Sequence, residues 1–238
     1  MRASLAGVDD WGPSGLRPDQ YTIDLATDAI AVERLTEAGL AVLSEESGVT
    51  RPSVDDDELL IVVDPIDGST NASQGLPWFA TSFCALDADG PLAAYVVNQA
   101  TGDQWSAVRG GGALRNGEAI SPSAVESIGD AIVAVSGLAS EHLGWKQFRC
   151  YGAAALDICS VADGTFDGFM DLSVDAHGGW DYMGALLVLR EAGGALIDAH
   201  GRELVVRSHE ARRTPLAAAT PELLKHLQTA FAQHLAPS

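Results

Sequence analysis

Residues 59–71 read LLIVVDPIDGSTN, and this stretch restricts the fold more tightly than any other. Five consecutive apolar residues ending in Ile61, Val62 and Val63 predict a strand buried on both faces, so layers must lie above and below it. The strand then runs straight into two carboxylates, Asp64 and Asp67, with Pro65 and Ile66 between them. Proline removes a ladder donor and aims the residues after it away from the sheet. Asp67 is thereby brought near Asp64, where the two can share a cation. Unshielded, such charges repel, and a bound Mg²⁺ removes the conflict. Gly68 allows unusual backbone angles and close approach. If a helix begins at Ser69–Thr70, the amides of Gly68, Ser69 and Thr70 point outward, ready for a phosphate. The plain alternative is a strand-terminating turn, which Asp, Pro and Gly favour without any metal.

The flanking sequence predicts a mixed pattern. The first 20 residues, rich in Gly, Pro and Asp, read as an irregular arm. Ile30, Leu35, Ala38 and Val42 recur at helical spacing over 27–43, with Thr27 or Asp28 as cap and Gly39 as an early stop. Ser44-Glu45-Glu46-Ser47 then reads as a solvated helix end, and Asp55–Glu58 as a solvated loop. Strands are expected at 79–86 and 92–97, joined at Asp89–Gly90, and at 104–108, with a hairpin signal at Asn116–Gly117. A strand at 131–135 precedes a loop over 136–144. A small-residue helix at 152–161 and a strand at 166–172 follow. Residues 182–192 form a buried helix with Asp181 as its N-cap and Gly193–Gly194 as its end. A final helix covers 221–234. Strands in hairpins and helices in blocks indicate an α+β layered fold. An N-terminal α+β half, 1–128, carries Glu45 and DPIDGST; a C-terminal half, 129–238, carries Trp180-Asp181.

Charge narrows the partners. Thirty-three acidic residues against 14 Lys plus Arg leave a net charge of −19, which repels a nucleic-acid backbone and suits divalent cations or simple solubility. The three cysteines, Cys84, Cys150 and Cys159, form no CxxC or Cys/His grouping, so neither a disulfide framework nor a zinc site is expected. With no apolar N-terminal run and no membrane-length apolar stretch, the expectation is a soluble cytoplasmic protein that meets no membrane.

Taken together, four segments resemble the inositol monophosphatase family of metal-dependent phosphatases. DPIDGSTN is similar to the family's first signature, with Ser69 where Thr is commoner. WDYMGALLVLREAGG is similar to the second, and SEES to the acidic pair that precedes the first. YGAAALDICSVADGTFDGFMD resembles the family's Gly-Ala-Ala helix and the strand after it. The likeness spans about residues 21–200.

The resemblance implies a layered αβαβα sandwich and a homodimer. It implies two Mg²⁺ ions, one on Glu45, Asp64 and the carbonyl of Ile66, the other on Asp64, Asp67 and Asp181. A third, weaker Mg²⁺ would rest on Glu45, and lithium sensitivity would follow. The implied reaction is hydrolysis of a small polyol or sugar phosphate, such as an inositol-1-phosphate, by direct attack of a metal-bound water. Glu45 and Ser69 would orient that water, and Asp67 would assist departure of the alcohol. Histidinol phosphate, fructose 1,6-bisphosphate and 3′-phosphoadenosine 5′-phosphate are rival substrates on the same fold. A covalent phospho-aspartate route, as in haloacid-dehalogenase-like enzymes with D-x-D-G-T, fits less well, because Asp64 and Asp67 are three apart rather than two. A non-catalytic Mg²⁺-binding regulatory protein is the remaining reading.

The chain departs from the family in four places. Ser69 is one. The start of the chain leaves no room for the usual first helix, and the segment 135–152 leaves little for the helix usually found there. The fourth concerns substrate hydroxyls. The family's Glu stands six residues before the Trp; here Asp171 stands nine before Trp180. Asp171 is either that hydroxyl anchor or a structural strand-end residue. Ala154 and His177 are further candidates for substrate contact, His177 otherwise being an exposed loop residue. Lys146 and Arg149 either meet a second anionic group or are surface cations, and Trp78 and Trp145 are read as packing residues.

Overall fold

The computed structural model describes residues 11–17, 20–51 and 58–235. The buried strand of the sequence pattern is β3 (Leu60–Asp67), at the heart of an eight-stranded sheet. Its other strands are β1 (Ala41–Ser44), β2 (Gly48–Val49), β4 (Ala80–Asp87), β5 (Gly90–Asn98), β6 (Gln104–Val108), β7 (Ala113–Arg115) and β8 (Glu118–Ala119). The order is β2-β1-β3-β4-β5-β6-β7-β8, with only β1 and β3 parallel. A second sheet has the order β10-β9-β11-β13-β12. It comprises β9 (Ile132–Ser136), β10 (Gln147–Arg149), β11 (Gly168–Asp171), β12 (Ala195–Asp198) and β13 (Pro215–Ala218). Strands β10, β9 and β11 are parallel; β13 runs against β11 and β12.

Helices α1 (Thr22–Glu37), α2 (Ser69–Ser73), α3 (Ala154–Ala162), α4 (Gly179–Ala192) and α5 (Pro221–Leu235), with a 3₁₀ turn at Ile128–Asp130, are the helical elements among the described residues. Burial assigns them to layers. Ala31 of α1 packs on Val42 and Val63 at one outer face. α3 and α4 lie between the sheets: Leu156, Ile158, Met183, Leu186 and Leu189 share one core with Leu43, Val62 and Val96 on one side and Ala134, Phe169 and Ala217 on the other. A helix covered on both sides must be apolar all round, which is why α4 shows no polar stripe through its middle. Leu223, Leu227 and Phe231 of α5 cover Val133, Val135, Met170 and Leu216 on the far face. The result is an αβαβα sandwich. Alternation along β3 serves two layers, with Leu60 and Val62 facing α4 and Val63 facing α1.

Several boundaries differ from the sequence expectation. The helix expected over 27–43 begins at Thr22 and ends at Glu37, and Val42 and Leu43 belong to β1. Thr27 and Asp28 are therefore buried inside the helix rather than capping it. Pro65 does not end β3; a register shift between Asp64 and Asp67 absorbs it, and Asp67 still pairs with Ala80. Helix α4 starts at Gly179, so Asp181 lies in its first turn rather than before it, and Gly193, at φ 103°, ends it as expected. Residues 137–146 form neither helix nor strand. The three cysteines are free. Trp145 is buried beneath α5, and the indole N–H of Trp78 donates to Asp157 at 2.9 Å. Most of the arm, and Asp55–Asp57 of the acidic run, lie outside the described residues; Glu58 pairs with Arg51 at 2.5 Å.

Candidate metal centre

Three elements deliver carboxylates to one point. Asp64 leaves the central strand, Asp67 follows the bulge, and Asp181 opens α4; one oxygen of each lies within 4.8 Å of the others. Each is held by backbone. The Ile66 amide donates to Asp64 Oδ1 at 2.9 Å, and the Gly178 amide to Asp181 Oδ2 at 2.8 Å. Asp67 takes two donors from the start of α3, Ala154 N at 3.2 Å and Ala155 N at 2.7 Å. This ties the end of one sheet's central strand to the helix layer beyond. Under the bulge, Gln99 Nε2 donates to Thr81 Oγ1 at 2.7 Å and Thr81 Oγ1 to the Pro65 carbonyl at 2.8 Å. Glu45 follows β1, with its amide 3.3 Å from the Val63 carbonyl, so the parallel β1–β3 pair places it beside Asp64. The two carboxyls act on each other directly.

The electrostatics describe a site in need of a cation. Burial, then Asp181, Glu46 and Asp24, hold the Glu45 carboxyl well above its usual range. Burial, then Glu45, Asp67 and Asp181, do the same to Asp64. Burial and Asp181 raise Asp67, against the pull of the Ala155 amide. His177 answers part of this negative charge. Burial disfavours its cationic form, but the hydrogen bond and charge of Asp181, then Asp171 and Asp67, lift its pKa to about 9. The donors are all oxygen, crowded and mutually repelling, and they fit a hard divalent cation far better than zinc or copper.

The other expected residues fall in different places. Gly68 caps α2 at φ 84°, and a Cβ there would stand 3.0 Å from the Gly152 carbonyl and 3.1 Å from that of Trp78. Only glycine fits. Ser69 and Thr70 open α2 beside the carboxylates, and Tyr21 Oη donates to Thr70 Oγ1 at 3.2 Å. The Ala154 amide, a candidate for substrate, is taken by Asp67. Asp171 ends β11 fully buried; Ser173 N donates to its Oδ1 at 2.8 Å, and its Oδ2 lies 3.7 Å from His177 Nε2. His177 is no exposed loop residue: its side chain is 14% accessible and its Nδ1 lies 3.3 Å from Asp181 Oδ2. Asp171, His177 and Asp181 thus form a row, in which Asp171 is fully buried and its Oδ2 has His177 as its neighbour but no hydrogen-bond partner.

One acid, Asp24, escaped the sequence reading, and a second, Asp28, was read there only as a helix cap. Asp24 accepts from the Tyr21 amide at 2.9 Å at the start of α1 and lies beside Glu46 and Ser69. Burial pushes its pKa to about 6, with Glu46 adding to the rise and the Tyr21 amide and Ser69 hydroxyl opposing it. Asp28 accepts from the hydroxyls of Ser44 and Ser47, gripping both sides of the Glu45 turn. The available signal was their spacing: residues four apart share a helix face once the helix starts at Thr22.

Fold and centre together define a phosphatase of the layered-sandwich type, with carboxylates arranged for a divalent cation. The chain belongs to the inositol monophosphatase family, whose sequence profile matches residues 20–236. Membership makes it a phosphoric monoester hydrolase. It is 30% identical over 207 residues to a fructose-1,6-bisphosphatase/inositol-1-monophosphatase of Archaeoglobus fulgidus, covering 85% of this chain and 77% of that one. An inositol-1-monophosphatase of Mesorhizobium japonicum is 32% identical over 221 residues, covering 84% and 77%. In fold it is similar to a Pyrococcus horikoshii protein described as resembling inositol-1 monophosphatase, with TM-score 0.83 at 24% identity over 92% of this chain and 88% of the other. Among the described residues no helix is long and apolar enough to cross a membrane.

Proposed function

We propose that this chain is a Mg²⁺-dependent phosphomonoesterase that hydrolyses a small polyol or sugar phosphate by direct displacement at phosphorus. The convergence of Asp64, Asp67 and Asp181 within 4.8 Å, beside the start of α2, carries this reading. Glu45, Asp64 and the Ile66 carbonyl would hold one ion, and Asp64, Asp67 and Asp181 another, with a weaker third on Glu45. Bound Mg²⁺ supplies Lewis-acid polarisation of the phosphoryl group and neutralises developing charge. The chain supplies orientation. The amides of Gly68, Ser69 and Thr70 receive the phosphate oxygens, and Glu45 with the Ser69 hydroxyl holds the attacking water in line. Asp24, next to Ser69, would orient that hydroxyl. Asp67 and Asp181 face the departing alcohol, and Asp171 acts on Asp181 through His177.

The printed names of relatives support inositol-1-phosphate and fructose 1,6-bisphosphate as the first substrates to try. A panel of phosphomonoesters assayed for phosphate release with and without Mg²⁺ tests the proposal. It should show Mg²⁺-dependent turnover of at least one polyol or sugar phosphate. No release from any would sink it, and a phospho-aspartate trapped on Asp64 would replace direct displacement with a covalent route. The free cysteines suit the cytoplasm, and Leu138, Phe148 and Tyr151, exposed beside the edge strand β10, suit a homodimer, which sedimentation would test. The charge balance argues against nucleic-acid partners.

A further inference from the structure

Glu45 sits in a turn after a four-residue strand, followed by Gly48, and its amide reaches its neighbour strand only at 3.3 Å. Asp28 holds the Ser44 and Ser47 hydroxyls on either side of it, which leaves the Glu45 carbonyl to be fixed by another partner. That partner comes from far along the chain. Residues 208–213 form an irregular strap. His209 Nε2 lies 2.9 Å from the Glu45 carbonyl; a carbonyl only accepts, so the imidazole carries its proton on Nε2 and donates. The same ring stacks on Trp180, centroids 4.8 Å apart at 29°, and Arg212 lies over that indole at 5.0 Å. Arg212 in turn donates to the His209 carbonyl at 2.7 Å, closing the strap on itself. Arg213 exchanges backbone hydrogen bonds with His177, at 2.8 and 3.2 Å. Trp180 and His177 flank Asp181. One strap therefore grips the backbone of Glu45 on the first sheet and the residues around Asp181 at the start of α4.

We propose that His209 is a positioning residue for the metal centre, its Nε2–H fixing the Glu45 turn while its ring, braced by Arg212, keeps that turn in register with Asp181. A strap that merely covered Trp180 would need the stack and not the hydrogen bond. The inference rests on the metal-centre reading above. It makes no claim about protonation, since Nε2 donates in the neutral and the charged ring alike.

Two substitutions separate donor from stack. His209→Phe keeps an aromatic ring on Trp180 and loses the donor; His209→Gln loses the ring and keeps an N–H at nearly the Nε2 position. The cation-free full chain is titrated with Mg²⁺ alone by calorimetry, and half-saturating Mg²⁺ is measured in phosphate release. His209→Phe should weaken Mg²⁺ binding about fivefold, the scale of one lost hydrogen bond, and raise half-saturating Mg²⁺ by the same factor. KM for substrate at saturating Mg²⁺ should stay within about twofold of wild type, and His209→Gln should restore Mg²⁺ affinity to within about twofold. Wild-type Mg²⁺ affinity in His209→Phe, with loss in His209→Gln, would show a cover and overturn the assignment. Loss of the native near-UV circular dichroism in both variants without Mg²⁺ would overturn it equally, as a purely structural role. The calorimetry needs no turnover. Wild type that binds Mg²⁺ but hydrolyses nothing defeats the phosphatase proposal and leaves this one decidable; wild type that binds no Mg²⁺ defeats both.

Discussion

Replacing Asp67 with asparagine separates the cation-binding role proposed for it from its structural one. In the folded chain its two oxygens accept from Ala154 N at 3.2 Å and Ala155 N at 2.7 Å. A carboxamide has one acceptor oxygen, and its NH₂ would face the second amide donor to donor. One buried amide left unsatisfied costs about 1–3 kcal/mol. For a chain of this size that lowers Tm by roughly 2–12 °C. Deleting the charge gives little back, because burial and Asp181 already favour the neutral carboxyl in the cation-free chain. With Mg²⁺ the contrast sharpens. Wild type at 100 times Kd gains about 2.7 kcal/mol, or roughly 5–11 °C, and Asp67→Asn should gain only a small part of that. Turnover should fall on the order of 100-fold or more, the scale on which single electrostatic groups count at a transition state. Calorimetric melts with EDTA or Mg²⁺, together with phosphate release, measure all three effects. Wild-type turnover and a wild-type Mg²⁺ shift in this variant would refute the assignment of Asp67 to the centre.

Other outcomes follow from the same structure. With EDTA present, stability should fall as pH rises from about 5 to 8: Glu45, Asp64 and Asp67 keep protons in the folded state that the unfolded chain gives up near pH 4. On the proposed function Mg²⁺ would take the place of those protons, so denaturant titrations at several pH values should show a flatter dependence with Mg²⁺, and a flat profile in EDTA would contradict the reading. Asp198 works in the opposite sense. Burial raises its pKa, but Arg202 and the Thr214 amide outweigh burial and bring it to about 2, so its contribution is present above the unfolded value near 4 and lost as pH falls through 2. Asp198→Asn should therefore destabilise at pH 7 and less so at pH 2; equal losses at both would argue against the ion pair. Gly68→Ala forces a left-handed alanine against two carbonyls and should cost about 2–3 kcal/mol in urea unfolding, with turnover falling alongside; wild-type stability would mean that the α2 cap is not as described.

What the sequence made legible was chemistry written in contiguous residues. Leu59 to Val63 announces a doubly covered strand, and DPIDG and WD each carry carboxylates with the backbone that aims them. The misreadings share a physical cause. Val42 and Leu43 continue the helical spacing of Ile30 and Leu35, so nothing local shows that the chain has crossed Gly39 into a strand, and a helix over 27–43 starts too late to place Asp24 and Asp28 on its inner face. Pro65 looks like a terminator because a bulge exists only relative to a partner strand, here β4.

Asp171 and His177 show the same limit at the site itself. Three additional residues before Trp180 suggest a loosened loop and an exposed histidine. The backbone pair His177–Arg213 folds that loop back over the end of β11, and His177 enters between Asp171 and Asp181. A pairing across 36 residues leaves no mark on either segment alone. The centre is therefore encoded twice, once in short motifs that supply each carboxylate, and once in long-range bonds that set their distances. Asp67 to α3, Glu45 to His209 and Asp181 to His177 belong to the second kind. Substitutions at these second-kind contacts should change how tightly the cation is held more than what the centre does with it, because they move ligands without removing them.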